Sequence, residues 1–246
     1  MTSSRDPGPP WPETVTTPAD LQRLRAAARV HHTPCGDGTL VWHAWGTGDP
    51  VLLLHGGAGS WTHWVRNIGA LVRAGRSVWA PDMPGFGDSA RAPGCDDADR
   101  MPPWLAQGLQ ALLGPRAVDA AGFSFGGLVG AYLAVQHPGQ VASLMLVGAP
   151  ALSEERRAPL PMRAWSAVPE GPRRDAIHRH NLLTLMIADP AAVDDLAVAV
   201  HAANVERDRM RRRRLMLTDA LRRLLPQIRC PLAGIWGEQD VLYRDR

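Results

Sequence analysis

The stretch "DAAGFSFGGLVG", residues 119–130, places Ser124 between Gly122 and Gly126 at the end of an apolar run. G-x-S-x-G in that setting fits a serine on a sharp strand-to-helix turn. Residues two away on either side must be minimal, so that strand and helix can approach each other. The chemistry available there is nucleophilic attack on a carbonyl carbon. The N–H of Phe125 would sit at the positive end of the following helix, ready to stabilise an oxyanion. The alternative is a glycine-rich turn whose serine only caps the helix. A second candidate loop is "LLLHGGAGSWTHW", with His55, Gly56 and Gly57 directly after an apolar run. It can supply a second oxyanion N–H, from Gly57 or else Ala58. A phosphate loop would need a Lys-Ser/Thr pair after its last glycine, and Gly59-Ser60 leads instead to Trp61. "APDMPGFGDS", residues 80–89, adds a third loop of the kind found at the C-terminal edge of open α/β sheets.

The elements that must position these loops are legible. "TLVWHAWG" (39–46) is strand-like. "PVLLLHGG" (50–57), "SVWAPDMPGFG" (77–87), "AVDAAGFS" (117–124) and "VASLMLVGAP" (141–150) are short apolar runs closed by turn residues. Such runs suit strands buried on both faces of a parallel sheet. Helical stretches fall between them at about 61–73, 102–113 and 125–137, and the alternation predicts a parallel α/β sheet. "PADLQRLRAAARV" (18–30) reads as an earlier helix. After Pro150 only helical patterns follow, among them one over "AAVDDLAVAVHAANVERDRMRRRRLM" (191–216), until "CPLAGIWGEQD" (230–240) returns to strand and turn. The expected organisation is a flexible tail (1–17), a first core part (18–150), a helical cap (151–228) and a second core part (229–246).

Taken together, these motifs resemble the α/β-hydrolase superfamily over roughly residues 35–240. They are similar to its capped branch of meta-cleavage-product (carbon–carbon bond) hydrolases and related esterases. The resemblance implies a mostly parallel hydrolase sheet with an all-helical cap. It implies a Ser–acid–His triad in chain order, with Ser124 as nucleophile and Asp240 of "IWGEQD" as the acid. Gly57 and Phe125 would be the oxyanion donors, and no metal or organic cofactor would be required. Asp240 can also be read as a turn former. A serine at position 124 sets the chain apart from relatives that use an Asp nucleophile. Phe123 stands where meta-cleavage-product hydrolases commonly have Asn, which favours a generic carboxylic ester over the carbon–carbon bond of a vinylogous diketone. A non-catalytic, small-molecule-binding protein of the same fold is the alternative.

The pattern breaks after Asp240. The nine histidines are His31, His32, His43, His55, His63, His137, His178, His180 and His201. None follows the acid. The reading is therefore of a chain lacking the last strand and helices, with "PLAGIWG" as an uncovered edge strand and poor activity without a general base. His55 is expected to brace the oxyanion loop. The H-x-H of His178 and His180 lies in an Arg-rich stretch without a nearby carboxylate cluster and does not suggest a metal site.

The remaining sequence narrows the class. Lys+Arg at 27 against Asp+Glu at 24 gives a net charge of only +3, without the broad basic surface of a nucleic-acid binder. The one dense basic run, Arg211 to Arg214, is expected as the wet face of a helix. Three scattered cysteines, Cys35, Cys95 and Cys230, suggest neither a zinc ribbon nor a disulfide frame. No apolar stretch is long enough to span a membrane. A cytoplasmic protein with a small-molecule substrate, compatible with a homodimer, is expected. Leu182, Leu183, Leu185, Met186 and Ile187 form an apolar run that either packs the cap or lines a pocket. Trp61, Trp64 and Trp165 pose the same choice.

Overall fold

The computed structural model describes residues 14–153, 159–210 and 213–243. Seven strands form one mixed, mostly parallel sheet. They are β1 (Arg29–Cys35), β2 (Gly38–Trp45), β3 (Asp49–Leu54), β4 (Arg76–Pro81), β5 (Val118–Phe123), β6 (Val141–Val147) and β7 (Leu232–Ile235). Their spatial order is β1-β2-β4-β3-β5-β6-β7. β1 and β2 are antiparallel, as are β2 and β4, and every later pairing is parallel. The helices between them are α1 (Pro18–Ala26), α2 (Val65–Arg73), α3 (Pro102–Leu113) and α4 (Phe125–Gln136). Between β6 and β7 lie α5 (Pro172–Leu185), α6 (Asp195–Glu206) and α7 (Ala220–Leu224).

β3 shows why its run is continuously apolar. Leu52 and Leu54 face a core shared with α3 and α4. Val51 and Leu53 face the opposite core, shared with α1 and α2. A strand covered on both faces has no wet side on which to place polar residues. Trp61 and Trp64 both pack into the second core. Leu196 of α6 joins that core too, so the stretch expected as a cap is fastened to the sheet layer. Leu182, Val193 and Val198 form a small separate cluster between α5 and α6.

Two boundaries differ from the sequence reading. The first helix stops at Ala26, not Val30. Arg29 starts β1, an edge strand paired along its whole length with β2 through a two-residue loop where Gly36 takes φ +62°. Its "RVHHTPC" composition hides it, because Pro34 is tolerated only at an edge and the two histidines give no strand pattern. The helix read across 191–216 occupies only Asp195–Glu206, starting where the Asp194 side chain accepts the Ala197 N–H. Of the expected tail, residues 1–13 lie outside the described residues. Val15 is buried and Thr17 forms a capping box with Asp20 at the start of α1. β7 is exposed along all four residues, with Ile235 59% exposed at the edge of the sheet. No helix among the described residues is long and apolar enough to cross a membrane.

The contact of α3 with β2 is tight enough to test. A Cβ on Gly108 would lie 2.3 Å from Trp42 Cζ2, and the Trp42 indole is tethered to Thr33 Oγ1 at 2.9 Å. Gly108→Ala is expected to lower stability by about 1–3 kcal/mol despite its better helix propensity. A melting temperature lower by several degrees, with unchanged circular dichroism, is the expected result.

Candidate active site

Ser124 occupies the single residue between β5 and α4. Its backbone angles are φ +51° and ψ −118°, a region that costs a side-chain-bearing residue of order 1–3 kcal/mol. The turn is locked by the Ser124 N–H donating to Val147 O at 2.8 Å and the Gly127 N–H donating to Ser124 O at 2.9 Å. The flanking glycines are obligatory. A Cβ on Gly122 would meet Gly126 O at 2.4 Å, and one on Gly126 would meet Leu54 O at 2.3 Å and His55 O at 2.4 Å. The Ser124 hydroxyl makes no capping bond to the helix, so the cap reading of this serine does not hold. The Phe125 N–H belongs to the first turn of α4, where donors lack intrahelical acceptors.

The loop after β3 is braced from two sides. His55 is fully buried. Its Nδ1–H donates to Gly56 O at 2.8 Å, and its Nε2 accepts the Met83 N–H at 2.9 Å. Burial pushes its pKa down to about 4, the Gly56 carbonyl opposes that, and the Arg213 charge adds to it. The Gly56 N–H donates to His63 Nδ1 at 3.2 Å. His63 is pushed down to about 3, first by burial, then by His55 and His201. Asp82, from "APDMPGFGDS", is 1% exposed and accepts the Trp61 N–H and the Asp88 N–H, each at 2.9 Å. Burial raises its carboxyl to about 6, and those two backbone donors pull the other way. The third loop thus serves as a clamp on the second.

A cleft of about 690 Å³ opens at the C-terminal edge of the parallel strands, and Ser124, Gly57, Ala58 and Asp240 all line it. This is where open α/β sheets place ligands. Asp240 follows β7. Its Oδ1 accepts the Leu242 N–H at 2.8 Å, and its Oδ2 lies beside Gly148. The apolar wall comes from Leu183, Leu185, Met186 and Ile187 at the end of α5, while Leu182 turns into the α5–α6 cluster. Phe125 is not among the residues lining the cleft, its ring being buried in the core. No histidine lines this cleft among the described residues. Trp165 lies away from it, stacked with Arg174 and His178. Among the described residues no group of three or more His, Cys, Asp or Glu could hold a metal ion. A smaller cleft of about 380 Å³ lies at the N-terminal edge of the strands, where Arg76 pairs with Asp119 and Arg116 with Asp49.

Arg213 is the residue that sequence reasoning misplaced. Arg211 and Arg212 lie outside the described residues. Arg213 is on no helix and is not wet: its side chain is 19% exposed and lines the cleft. Its Nη1 donates to Asp208 Oδ2 at 2.6 Å and to Met210 O at 2.9 Å, and the guanidinium lies over the rings of Phe86 and Phe125 at 5.6 and 5.9 Å. A Cβ on Gly57 would meet its Nε at 3.2 Å. The Nε/Nη2 edge therefore faces Gly57 in the loop after β3. A run of four arginines suggests a solvated surface, and only folding brings one member against two aromatic rings.

The closeness of β3, β5 and α4 makes a direct prediction. Gly126→Ala forces a methyl group into two backbone carbonyls and is expected to cost about 3 kcal/mol. The check is a denaturant midpoint. A midpoint equal to that of the wild type would refute the strand–helix approach described here.

A family model described as alpha/beta hydrolase fold matches residues 49–185, more than half of the chain. Over 138 residues the chain is 30% identical to a 2-hydroxy-6-oxo-6-phenylhexa-2,4-dienoate hydrolase of Comamonas testosteroni, a match covering 55% of this chain and 48% of that protein. It is 37% identical over 102 residues to a pimeloyl-(acyl-carrier protein) methyl ester esterase of Aeromonas hydrophila, covering 42% of this chain and 38% of that protein. The matched stretch thus spans about half the length of these relatives or less. Among solved structures, the fold is similar to that of an esterase from Exiguobacterium antarcticum, with a TM-score of 0.70, 20% identity, and coverage of 87% of this chain and 83% of that one. With that family-model match over more than half of its length, the chain belongs to the alpha/beta hydrolase fold family.

Proposed function

We propose that this chain carries the nucleophile and oxyanion side of a serine hydrolase site for a small carbonyl substrate. Ser124 Oγ attacks the carbonyl carbon, the carbonyl electrons move onto oxygen, and the hydroxyl proton is given up to become the one the leaving group takes. The Gly57 and Phe125 N–H groups stabilise the resulting oxyanion. Asp240 is the acid that would orient an imidazolium. The observation that carries this reading is the backbone of Ser124: a strained φ of +51° on a side chain that caps nothing and opens into a cleft. Strain of that kind persists where a function keeps it.

Two substrate chemistries fit. In an ester, the attack expels an alkoxide that takes up a proton. In a vinylogous diketone, it expels a stabilised carbanion that is protonated on carbon. In both, water then releases the acid from the acyl-enzyme. Phe123 offers no hydrogen bond to a dienoate oxygen, which supports the ester. The free edge of Arg213 supports a substrate with an anionic group near the reacting carbonyl, the kind of group a dienoate carries. A second reading, small-molecule binding without turnover, is favoured by the lack of a histidine at the cleft among the described residues.

A fluorophosphonate probe separates these readings. The wild-type chain is expected to label slowly and Ser124→Ala not at all. Equal labelling of the two would remove Ser124 from the mechanism. Retained ligand binding with no labelling of either would establish the binding reading. Arg213→Gln is expected to weaken an anionic ligand roughly tenfold or more, in line with a lost charge-assisted bond, and a neutral analogue much less.

A further inference from the structure

Four buried or half-buried histidines run in a row from the oxyanion loop into the helices above it. His55 and His63 have ring centroids 6.2 Å apart. His63 lies within electrostatic reach of His201 on α6. His201 meets His178 on α5 at 5.4 Å, edge to face, and His178 in turn stacks with Trp165 at 5.6 Å. The outer pair is unusual. His178 is 0% exposed and His201 7% exposed. Among the described residues, no group hydrogen-bonds either ring nitrogen of His178 or the Nε2 of His201. A core histidine serving only as structure would place its donor and its acceptor on partners.

The pair lies where α5 and α6 are fastened to the rest of the molecule. Three residues after His201, Asn204 Oδ1 accepts the hydroxyls of Ser60 at 2.7 Å and Thr62 at 3.1 Å, at the end of the oxyanion loop. Arg66 of α2 pairs with Asp194 at the head of α6. We propose that the buried His178–His201 pair is an acid-sensitive latch: neutral, it lets α5 and α6 dock over the oxyanion loop, and protonated, it releases them. This inference does not depend on the catalytic reading of Ser124.

The charges facing the pair define the direction. His178 is held below the usual histidine range by burial first and the Arg174 charge second, while Asp175 on its own helix and Glu206 on α6 oppose them. Arg174 is itself paired with Glu206, which blunts both. His201 is pushed down to about 4 by burial and by His178. Below the row stand His63, His55 and the Arg213 charge, none of which favours a proton. Released histidines return to their ordinary range. Protons therefore bind the open form more tightly, and docking is lost as pH falls from about 6.5 towards the folded value. For His201 alone, the opening equilibrium rises roughly twentyfold between pH 7 and pH 5.

Hydrogen exchange, corrected for its intrinsic pH dependence, tests this on the intact chain. Peptides covering 195–206 and 172–185 are expected to open roughly twentyfold more often at pH 5 than at pH 7, while α4 stays protected. His178→Phe and His201→Phe should each flatten that dependence. Asn204→Ala should loosen the same peptides equally at both pH values and leave the acid response intact. The latch is overturned if the wild type shows no acid opening of these helices. It is equally overturned if they open only together with α4, or if both phenylalanine variants open with the wild-type midpoint. Should one variant not fold at pH 7, the wild type and the other variant decide.

Discussion

The structure turns on one steric constraint: the backbone of α4 must come within contact of the carbonyls of β3 and β5. Gly126 lies against Leu54 O and His55 O, and Gly122 lies against Gly126 O. Only because neither carries a side chain can the chain reverse from strand to helix in a single residue. That reversal forces Ser124 to φ +51° and leaves its hydroxyl without a capping bond to the helix. The same approach seats the first turn of α4 beside the loop that follows β3, so the two expected oxyanion donors come from one packing event. The apolar alternation of β3, with Leu52 and Leu54 to one core and Val51 and Leu53 to the other, holds the strand that makes this approach rigid.

Around that point the polar groups are arranged to fix backbone. His55 spans Gly56 O and the Met83 N–H, and Asp82 spans the Trp61 and Asp88 N–H groups. Both are buried at a cost that shows in their displaced pKa values, His55 downward and Asp82 upward. His55 therefore stays neutral at ordinary pH, which suits a brace more than a proton carrier. The ion pair of Asp208 and Arg213 differs. Its acidic side is satisfied, and its guanidinium keeps one edge towards Gly57. It is a partly buried charge with a free face, and such charges act strongly on whatever enters the cleft because little water screens them.

α7 is packed into the main core through Ala220, Leu221 and Leu224, whereas α5 and α6 are joined to this frame by polar contacts at Asn204 and Asp194, with Leu196 as an apolar anchor. An interface of that kind is adjustable by charge, whereas the β3–α4 contact is not. The division is physical. A close-packed contact between backbones has one solution. A docking surface holding unpartnered imidazoles has at least two protonation states with different energies.

Much of this was legible in the order of residues. The runs at 50–54 and 77–81 are apolar because both faces are covered, while 141–147 keeps Ala142 and Met145 exposed. The glycines at 122 and 126 mark where Ser124 must stand, since those two positions tolerate no side chain. β1 was not legible, because an edge strand with one wet face carries no strong pattern. Nor was the end of the helix at Glu206, since its polar continuation reads as an exposed helix face. Local periodicity and glycine spacing determined the sheet, the turn and the placing of Ser124, because those depend on neighbours in sequence. Tertiary structure alone decided that Arg213 turns into the cleft and that His178 meets His201. Those contacts join residues far apart in the chain, and the energies that place them, desolvation and charge pairing, exist only once the chain is folded.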